Sequence, residues 1–222
     1  MEERDVIQRI REKKIIAIVR GFEPEECLAL AGALHKGGVG LVEVTFDQKD
    51  PGQFHKTADA IRLICEEFAG EVLPGAGTVL TPGQVDLAKE AGAAYIISPD
   101  ANEEVIRYTK EQRLVSIPGA MSPTEAVKAH HAGADFVKIF PVSNLGSAYV
   151  KAIKAPLGHI DMLAVGGVSP QNIREFLDAG AAGAGVGGLL TRREYVKNRE
   201  FGKITELAEE YVRQAGASTS LH

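Results

Sequence analysis

Two charged residues interrupt strand-like apolar runs. They are Lys138 in Phe136-Val137-Lys138-Ile139-Phe140-Pro141 and Glu43 in Leu41-Val42-Glu43-Val44-Thr45-Phe46. Successive side chains of a strand alternate between its faces, so Phe136, Lys138 and Phe140 share one face, and Glu43 shares another with Thr45. Apolar residues on both faces imply burial on both sides, as in a parallel sheet. A buried ammonium must be paired, locally solvated or neutral. Burial favours the neutral amine of a lysine, which is a nucleophile towards carbonyls. The chemistry this pair suits is Schiff-base catalysis. The amine adds to a ketone, and the protonated imine draws electrons from the neighbouring carbon. A carboxylate nearby moves protons during dehydration and bond cleavage. The same residues also suit a structural ion pair, or a lysine that extends its head past the strand end. Arg20 closes the first strand-like run, where a cation could hold an anionic group or simply be solvated.

Glycines cluster at strand ends: Gly75-Ala76-Gly77-Thr78, Gly166-Gly167 and Gly187-Gly188. They let backbone amides approach an anion closely, or serve only as turns. Gly183-Ala184-Gly185-Val186-Gly187 lacks the spacing of a dinucleotide fingerprint and is discounted.

These residues need elements to carry them. Strands are expected at Lys14–Arg20, Leu41–Phe46, Glu71–Thr78, Tyr95–Pro99, Leu114–Gly119, Phe136–Pro141, Met162–Gly166 and Ala184–Gly187. Helical patterns follow near Glu25–Lys36, Pro51–Phe68, Pro82–Ala91, Glu103–Gln112, Pro123–Ala132, Ser147–Ala155, Pro170–Ala179 and Phe201–Gln214. A further helix, Glu3–Lys13, precedes the first strand. Eight βα units favour closure into a (β/α)8 TIM barrel with an extra N-terminal helix. Its site would lie at the C-terminal ends of the strands, with phosphate at the last two loops. Lys138 would stand three residues before the end of its strand. An internal repeat supports stacked units: Thr81-Pro82, Ser122-Pro123 and Ser169-Pro170 each place a capping hydroxyl before a proline, and Ala91-Gly92, Ala132-Gly133 and Ala179-Gly180 close the helices.

The chain has 222 residues, 45% hydrophobic and 25% charged, with formal net charge −5. That fits one barrel domain over residues 1–222, with 216–222 expected as a disordered tail. No basic patch interleaves with aromatics, so nucleic acid is not expected as a partner. No run is long enough to span a membrane, and the charged start is unlike a signal peptide. Cys27 and Cys65 form no CxxC and fit a reducing compartment, so the cytoplasm is expected. No metal is expected: His130 and His131 are adjacent on a helix, and His35, His55, His159 and His222 are scattered.

Taken in order, Glu43-Val-Thr45-Phe, Gly75-Ala-Gly-Thr-Val-Leu80, Ile97-Ser-Pro99, Ile117-Pro-Gly119 and Phe136-Val-Lys-Ile-Phe-Pro141 with Gly146 resemble the 2-keto-3-deoxy-6-phosphogluconate (KDPG) / 4-hydroxy-2-oxoglutarate (KHG) aldolase family. The resemblance runs from Ile15 to Gly188. It implies a metal-independent, cofactor-free class I aldolase, assembled as a homotrimer, that cleaves a 4-hydroxy-2-keto acid to pyruvate and an aldehyde. It implies that Lys138 forms the imine and Glu43 is the general acid/base. Arg20, Gly77 and Thr78 would surround the keto-acid portion, and Pro99 and Phe140 would wall the pocket.

Three departures stand out. Asp47 replaces an arginine often found after the EVT-plus-hydrophobe stretch. Ala164-Val165-Gly166-Gly167 replaces Pro-Thr-Gly-Gly, and Gly187-Gly188-Leu189 lacks a serine that usually caps phosphate. Each lost hydrogen bond to a charged group would weaken binding about tenfold to a hundredfold. The expectation is therefore a non-phosphorylated or differently substituted 2-keto acid. Two other classes stay open: a phosphosugar isomerase or epimerase barrel, and a non-catalytic sugar-acid-binding homologue.

Overall fold

In the computed structural model, which describes residues 2–217, strands and helices alternate along the chain. Helix α1 (Glu3–Lys13) precedes β1 (Ile15–Val19) and α2 (Pro24–Lys36). Then follow β2 (Leu41–Thr45), α3 (Phe54–Phe68), β3 (Leu73–Gly77), α4 (Pro82–Glu90), β4 (Tyr95–Ile97) and α5 (Glu103–Glu111). The second half comprises β5 (Val115–Ile117), β6 (Gly119–Ala120), α6 (Pro123–His131), β7 (Val137–Ile139), α7 (Gly146–Lys154), β8 (Met162–Val165), α8 (Ile173–Asp178), β9 (Gly183–Val186), α9 (Arg193–Lys197) and α10 (Phe201–Ala215). All the paired strands are parallel, in the order β5-β4-β3-β2-β1-β9-β8-β7-β6.

The expected fifth strand is split in two at Pro118, which has no N–H to offer the ladder. The sheet nonetheless closes around the split. Ser116 O accepts from the Asp135 and Phe136 amides, and Pro118 O accepts from the Lys138 amide at 2.8 Å. Eight strand positions thus make a (β/α)8 barrel with a leading helix, as the alternation implied.

The barrel is filled from below. Leu41, Leu73, Tyr95, Val115, Phe136 and Leu163 meet inside it, and Val6 and Ile10 of α1 join that cluster. Fully burying one such side chain is worth about 1.5–3 kcal/mol. Polar contacts hold α1 across the strand N-termini. Arg9 Nη1 donates to Gly70 O at 2.6 Å, and Lys110 Nζ bridges Glu3 Oε1 at 2.6 Å and Asp135 Oδ2 at 2.7 Å. The end with the strand C-termini is left for the site. Outside, apolar faces of the helices pack on the sheet through residues such as Leu30, Leu34, Ile61, Ile64 and Ile106.

Several details depart from expectation. The lysine-bearing strand is only Val137–Ile139, so Lys138 is one residue from its end rather than three. Thr81 and Ser122 accept from the amides of Gln84 and Glu125, as N-caps should. Ser169 does not cap a helix in this way: Asn172 Oδ1 accepts from the Ser169 amide at 2.7 Å, and α8 starts only at Ile173. A turn built by Asn172 replaces the first helical turn expected after Pro170. The short helix α9 was not expected. Helix α10 extends through Ala215, just before the expected tail of 216–222, and Gly216 at φ 57° caps it. The rest of that expectation, 218–222, lies outside the described residues.

Candidate active site

Strand register brings the two charged residues to the barrel interior. Glu43 lies beside Ile18 of β1 and Gly75 of β3, on the same face as Leu41. Lys138 lies beside Gly119 and Leu163, on the same face as Phe136. Both are buried, Glu43 to 1% and Lys138 to 6% exposure. Two glycines make room for this layer. A side-chain carbon at Gly77 would fall 1.9 Å from Glu43 Oε1, and one at Gly75 would fall 2.1 Å from the Tyr95 ring. Tyr95 is held in turn by its hydroxyl, which donates to Val42 O at 2.9 Å.

Glu43 Oε1 is buried without a hydrogen-bond partner. Burial pushes the Glu43 carboxyl above the usual carboxylate range, and the charges of Lys138 and Arg20 pull the other way. No direct ion pair joins Glu43 to Lys138 among the described residues, so the simple structural pair is not what the interior holds. Lys138 Nζ stands 5.0 Å from the centroid of the Phe140 ring. The arrangement juxtaposes an amine with a carboxyl group whose environment raises its proton affinity, the pairing acid–base chemistry needs.

Above them opens a cleft of about 490 Å³. Lys138, Arg20, Thr78, Pro99 and Phe140 line one part of it; Gly166, Gly167, Gly187 and Gly188 line another, with Val165 and Leu189. Nine of the eleven expected site residues therefore meet there. Glu43 does not reach its surface, and neither does Gly77, whose role is to leave space for the Glu43 carboxylate. Among the described residues, the amides of Gly166, Gly167 and Gly188 donate to no protein acceptor. A second hollow of about 570 Å³ between the β1–α2 and β2–α3 loops shares Arg20 with the cleft but includes neither Lys138 nor Glu43.

Residues beyond the expected set support the site. Arg20 Nη2 donates to Thr78 Oγ1 at 3.1 Å. Gln48 Nε2 donates to Thr78 O at 2.6 Å, and Ser98 Oγ donates to Val79 O at 2.7 Å. Nothing in the pattern around Gln48 marks it, since it is a polar residue in an exposed loop. Tyr95 had a signal: a bulky strand residue whose neighbouring strand offers glycine in place of a side chain.

The remaining titratable groups stay apart from this chemistry. The His130 and His159 rings pack edge to face at 5.2 Å, yet no group among the described residues is suited to hold a metal ion. Burial pushes the Cys27 thiol up to about 12, which leaves it protonated and inert. No helix among the described residues is long and apolar enough to cross a membrane.

A barrel with a buried lysine and an unpaired carboxyl group beneath one mouth defines a class of enzyme-like folds. Comparison with known proteins narrows it. The family described as KDPG and KHG aldolase matches residues 6–207, and the chain belongs to that family. It is 41% identical over 179 residues to a 2-dehydro-3-deoxy-6-phosphogalactonate aldolase of Escherichia coli strain K12, covering 80% of this chain and 84% of the relative. Among solved structures, a native KDPGal structure matches at TM-score 0.81 and 38% identity, covering 90% of this chain and 93% of the other. A KDPG aldolase from Legionella pneumophila, with pyruvate captured as a covalent carbinolamine intermediate, matches at TM-score 0.81 and 29% identity. It covers 94% and 97% of the two chains.

Proposed function

We propose that this protein is a lysine-imine aldolase that reversibly cleaves a 4-hydroxy-2-keto acid to pyruvate and an aldehyde. The observation that carries this is the pair of buried, mutually unpaired groups, Lys138 and Glu43, on interior positions beneath one cleft. Leaving both without a direct partner is costly for stability, and a reaction that uses both accounts for it. The carbinolamine in the Legionella relative supports the same chemistry.

The steps follow from the positions. The Lys138 amine adds to the C2 ketone, and loss of water, with Glu43 carrying the proton, leaves a protonated imine. Glu43 then takes the proton of the C4 hydroxyl. The C3–C4 bond breaks, its electron pair enters the imine as an enamine, and the aldehyde departs. Protonation of the enamine at C3 and hydrolysis release pyruvate and restore the amine. Arg20 and Thr78 receive the carboxylate end, Gly77 leaves room for Glu43 beneath it, Pro99 and Phe140 wall the reacting carbons, and the two glycine pairs face the distal end.

The distal end is phosphorylated in this reading. The missing threonine and serine hydroxyls, at Val165 and Gly188, had pointed the other way. The unpartnered amides of the glycine loops offer donors for a phosphate, and the Escherichia coli relative is named for a phosphorylated sugar acid. Gly188 provides a direct test, because an added side-chain carbon there meets nothing within 4 Å and its φ is unstrained. Gly188→Ser is expected to lower KM for a 6-phosphorylated substrate about tenfold to a hundredfold and to leave KM for the unphosphorylated analogue unchanged. Equal KM values for both proteins on both substrates would place the phosphate elsewhere.

The assembly is proposed to be a homotrimer, as the family resemblance implies, and the compartment the cytoplasm. Sedimentation velocity on the full chain tests the first. Borohydride trapping with pyruvate, read by peptide mass spectrometry, tests the function: a reduced adduct on Lys138 is the expected result, and its absence in folded protein rejects the aldolase.

A further inference from the structure

The loop after β3 is gripped at three consecutive residues by side chains from three different places. Gln48, in the β2–α3 loop, donates to Thr78 O at 2.6 Å. Ser98, just past β4, donates to Val79 O at 2.7 Å. Gln84, on α4, accepts from the Leu80 amide at 2.7 Å. The residue at the head of this loop is the unusual one. Thr78 has φ 56°, a left-handed conformation that β-branched residues scarcely visit. Such an outlier persists only where its surroundings over-determine it, and it clusters at functional sites.

Two contacts fix Thr78 from opposite ends. Arg20 Nη2 donates to its hydroxyl at 3.1 Å, and Gln48 holds its carbonyl. Thr78 and Arg20 both line the cleft with Lys138, whereas Gln48 does not. Asp47 shapes the turn that carries Gln48, its Oδ1 accepting from the Lys49 amide at 3.0 Å. Gln48 is otherwise exposed, so it contributes little packing, and among the described residues its side chain bonds only to Thr78 O.

We propose that Gln48 is a positioning residue for the carboxylate of the 2-keto acid, acting through Thr78. It pins the Thr78 peptide in the left-handed conformation, so that the hydroxyl beside Arg20 is already in place when the anion arrives. A donor fixed in advance binds an anion without the entropy loss of ordering a loop. The inference rests on the aldolase reading above, and it makes Gln48 matter for any 2-keto acid, whatever its distal group.

The experiment measures the pyruvate concentration for half-maximal borohydride trapping on Lys138 in the unaltered protein, Gln48→Ala and Gln48→Glu. Gln48→Glu keeps the shape and removes the donor. Both variants are expected to need about tenfold more pyruvate, as loss of a held donor implies. For cleavage at saturating substrate, kcat should fall less than twofold, and the melting temperature should not move. An unchanged half-saturation in Gln48→Glu overturns the proposal. So does a rise accompanied by matching losses of kcat and melting temperature, which would make Gln48 merely structural. No adduct in the unaltered protein would reject the aldolase reading itself, and the inference with it.

Discussion

Replacing Lys138 by methionine is expected to abolish the borohydride-trapped pyruvate adduct and to lower kcat/KM for cleavage on the order of 10⁵-fold, equivalent to about 7 kcal/mol of barrier. The size follows from what the residue does in the proposed sequence. Without the imine, the C3–C4 bond must break with its electron pair left on a carbon next to a plain ketone, and no second lysine lines the cleft among the described residues to substitute. Methionine nearly conserves volume, so the cavity term that accompanies truncation to alanine is small. The stability change should therefore have the opposite sign to the activity change. Among the described residues Lys138 has no carboxylate in direct contact; the Phe140 ring lies 5.0 Å from its Nζ, and Glu43 attracts it without touching it. Replacing a buried polar head that has no direct partner by an apolar one of similar volume stabilises the fold. Thermal unfolding of Lys138→Met should give a midpoint at or above that of the unaltered protein. A variant that keeps activity within a hundredfold would move the imine to another lysine. A sharply lower midpoint would mean that Lys138 stabilises the fold and that its burial serves structure rather than chemistry.

The same physics explains why this part of the site was legible from sequence. A charge within a β-branched run violates the pattern that builds a buried strand, and Lys138 and Glu43 violate it in strands that the alternation places in one barrel. The register then needed only the period of two to bring both inward. What the sequence concealed is of two kinds. Some features depend on contacts between distant segments: the Tyr95 ring in the space left by Gly75, and the Gln48 amide on Thr78 O, thirty residues apart in the chain. Others are local competitions whose outcome composition does not decide. Ser169-Pro170 has the same cap signature as Ser122-Pro123, yet Asn172 three residues on captures the Ser169 amide and the helix starts late. Pro118 broke the fifth strand without opening the barrel, because Ser116 O and Pro118 O still receive the amides of the next strand. The proline removed a donor while its carbonyl still served.

Two substitutions around Glu43 should both disable proton transfer and yet move stability in opposite directions. Glu43→Gln removes the titrating group and keeps its shape. Loss of a general acid/base typically lowers rate by about 10²–10⁴-fold, and that is the expected fall in kcat. The folded-state carboxyl titrates above its unfolded value because burial outweighs the Lys138 and Arg20 charges. Below the unfolded pKa of about 4.3, both states hold the proton and the group contributes nothing to the pH dependence. As pH rises from there to the folded value, the unfolded chain gives up its proton first, so stability is lost across that window and the loss stays constant above it. Glu43→Gln escapes this loss. Its melting temperature should match the unaltered protein's at low pH, rise above it through the window and hold a constant advantage beyond. Gly77→Ala instead leaves the carboxyl intact and takes its place. The new carbon would lie 1.9 Å from Oε1 and 2.5 Å from both Cδ and Cγ, so the Glu43 side chain or the β2–β3 pair must move. Overpacking of this kind costs about 1–3 kcal/mol and should lower the melting temperature at every pH, with kcat falling as the proton carrier leaves its position. If Gly77→Ala kept full kcat, the carboxylate would not need to stand where it does, and Glu43 would lose its claim to the proton transfers. If Glu43→Gln melted lower than the unaltered protein at neutral pH, the ionised carboxylate would be stabilising the fold, and its burial would serve structure rather than chemistry.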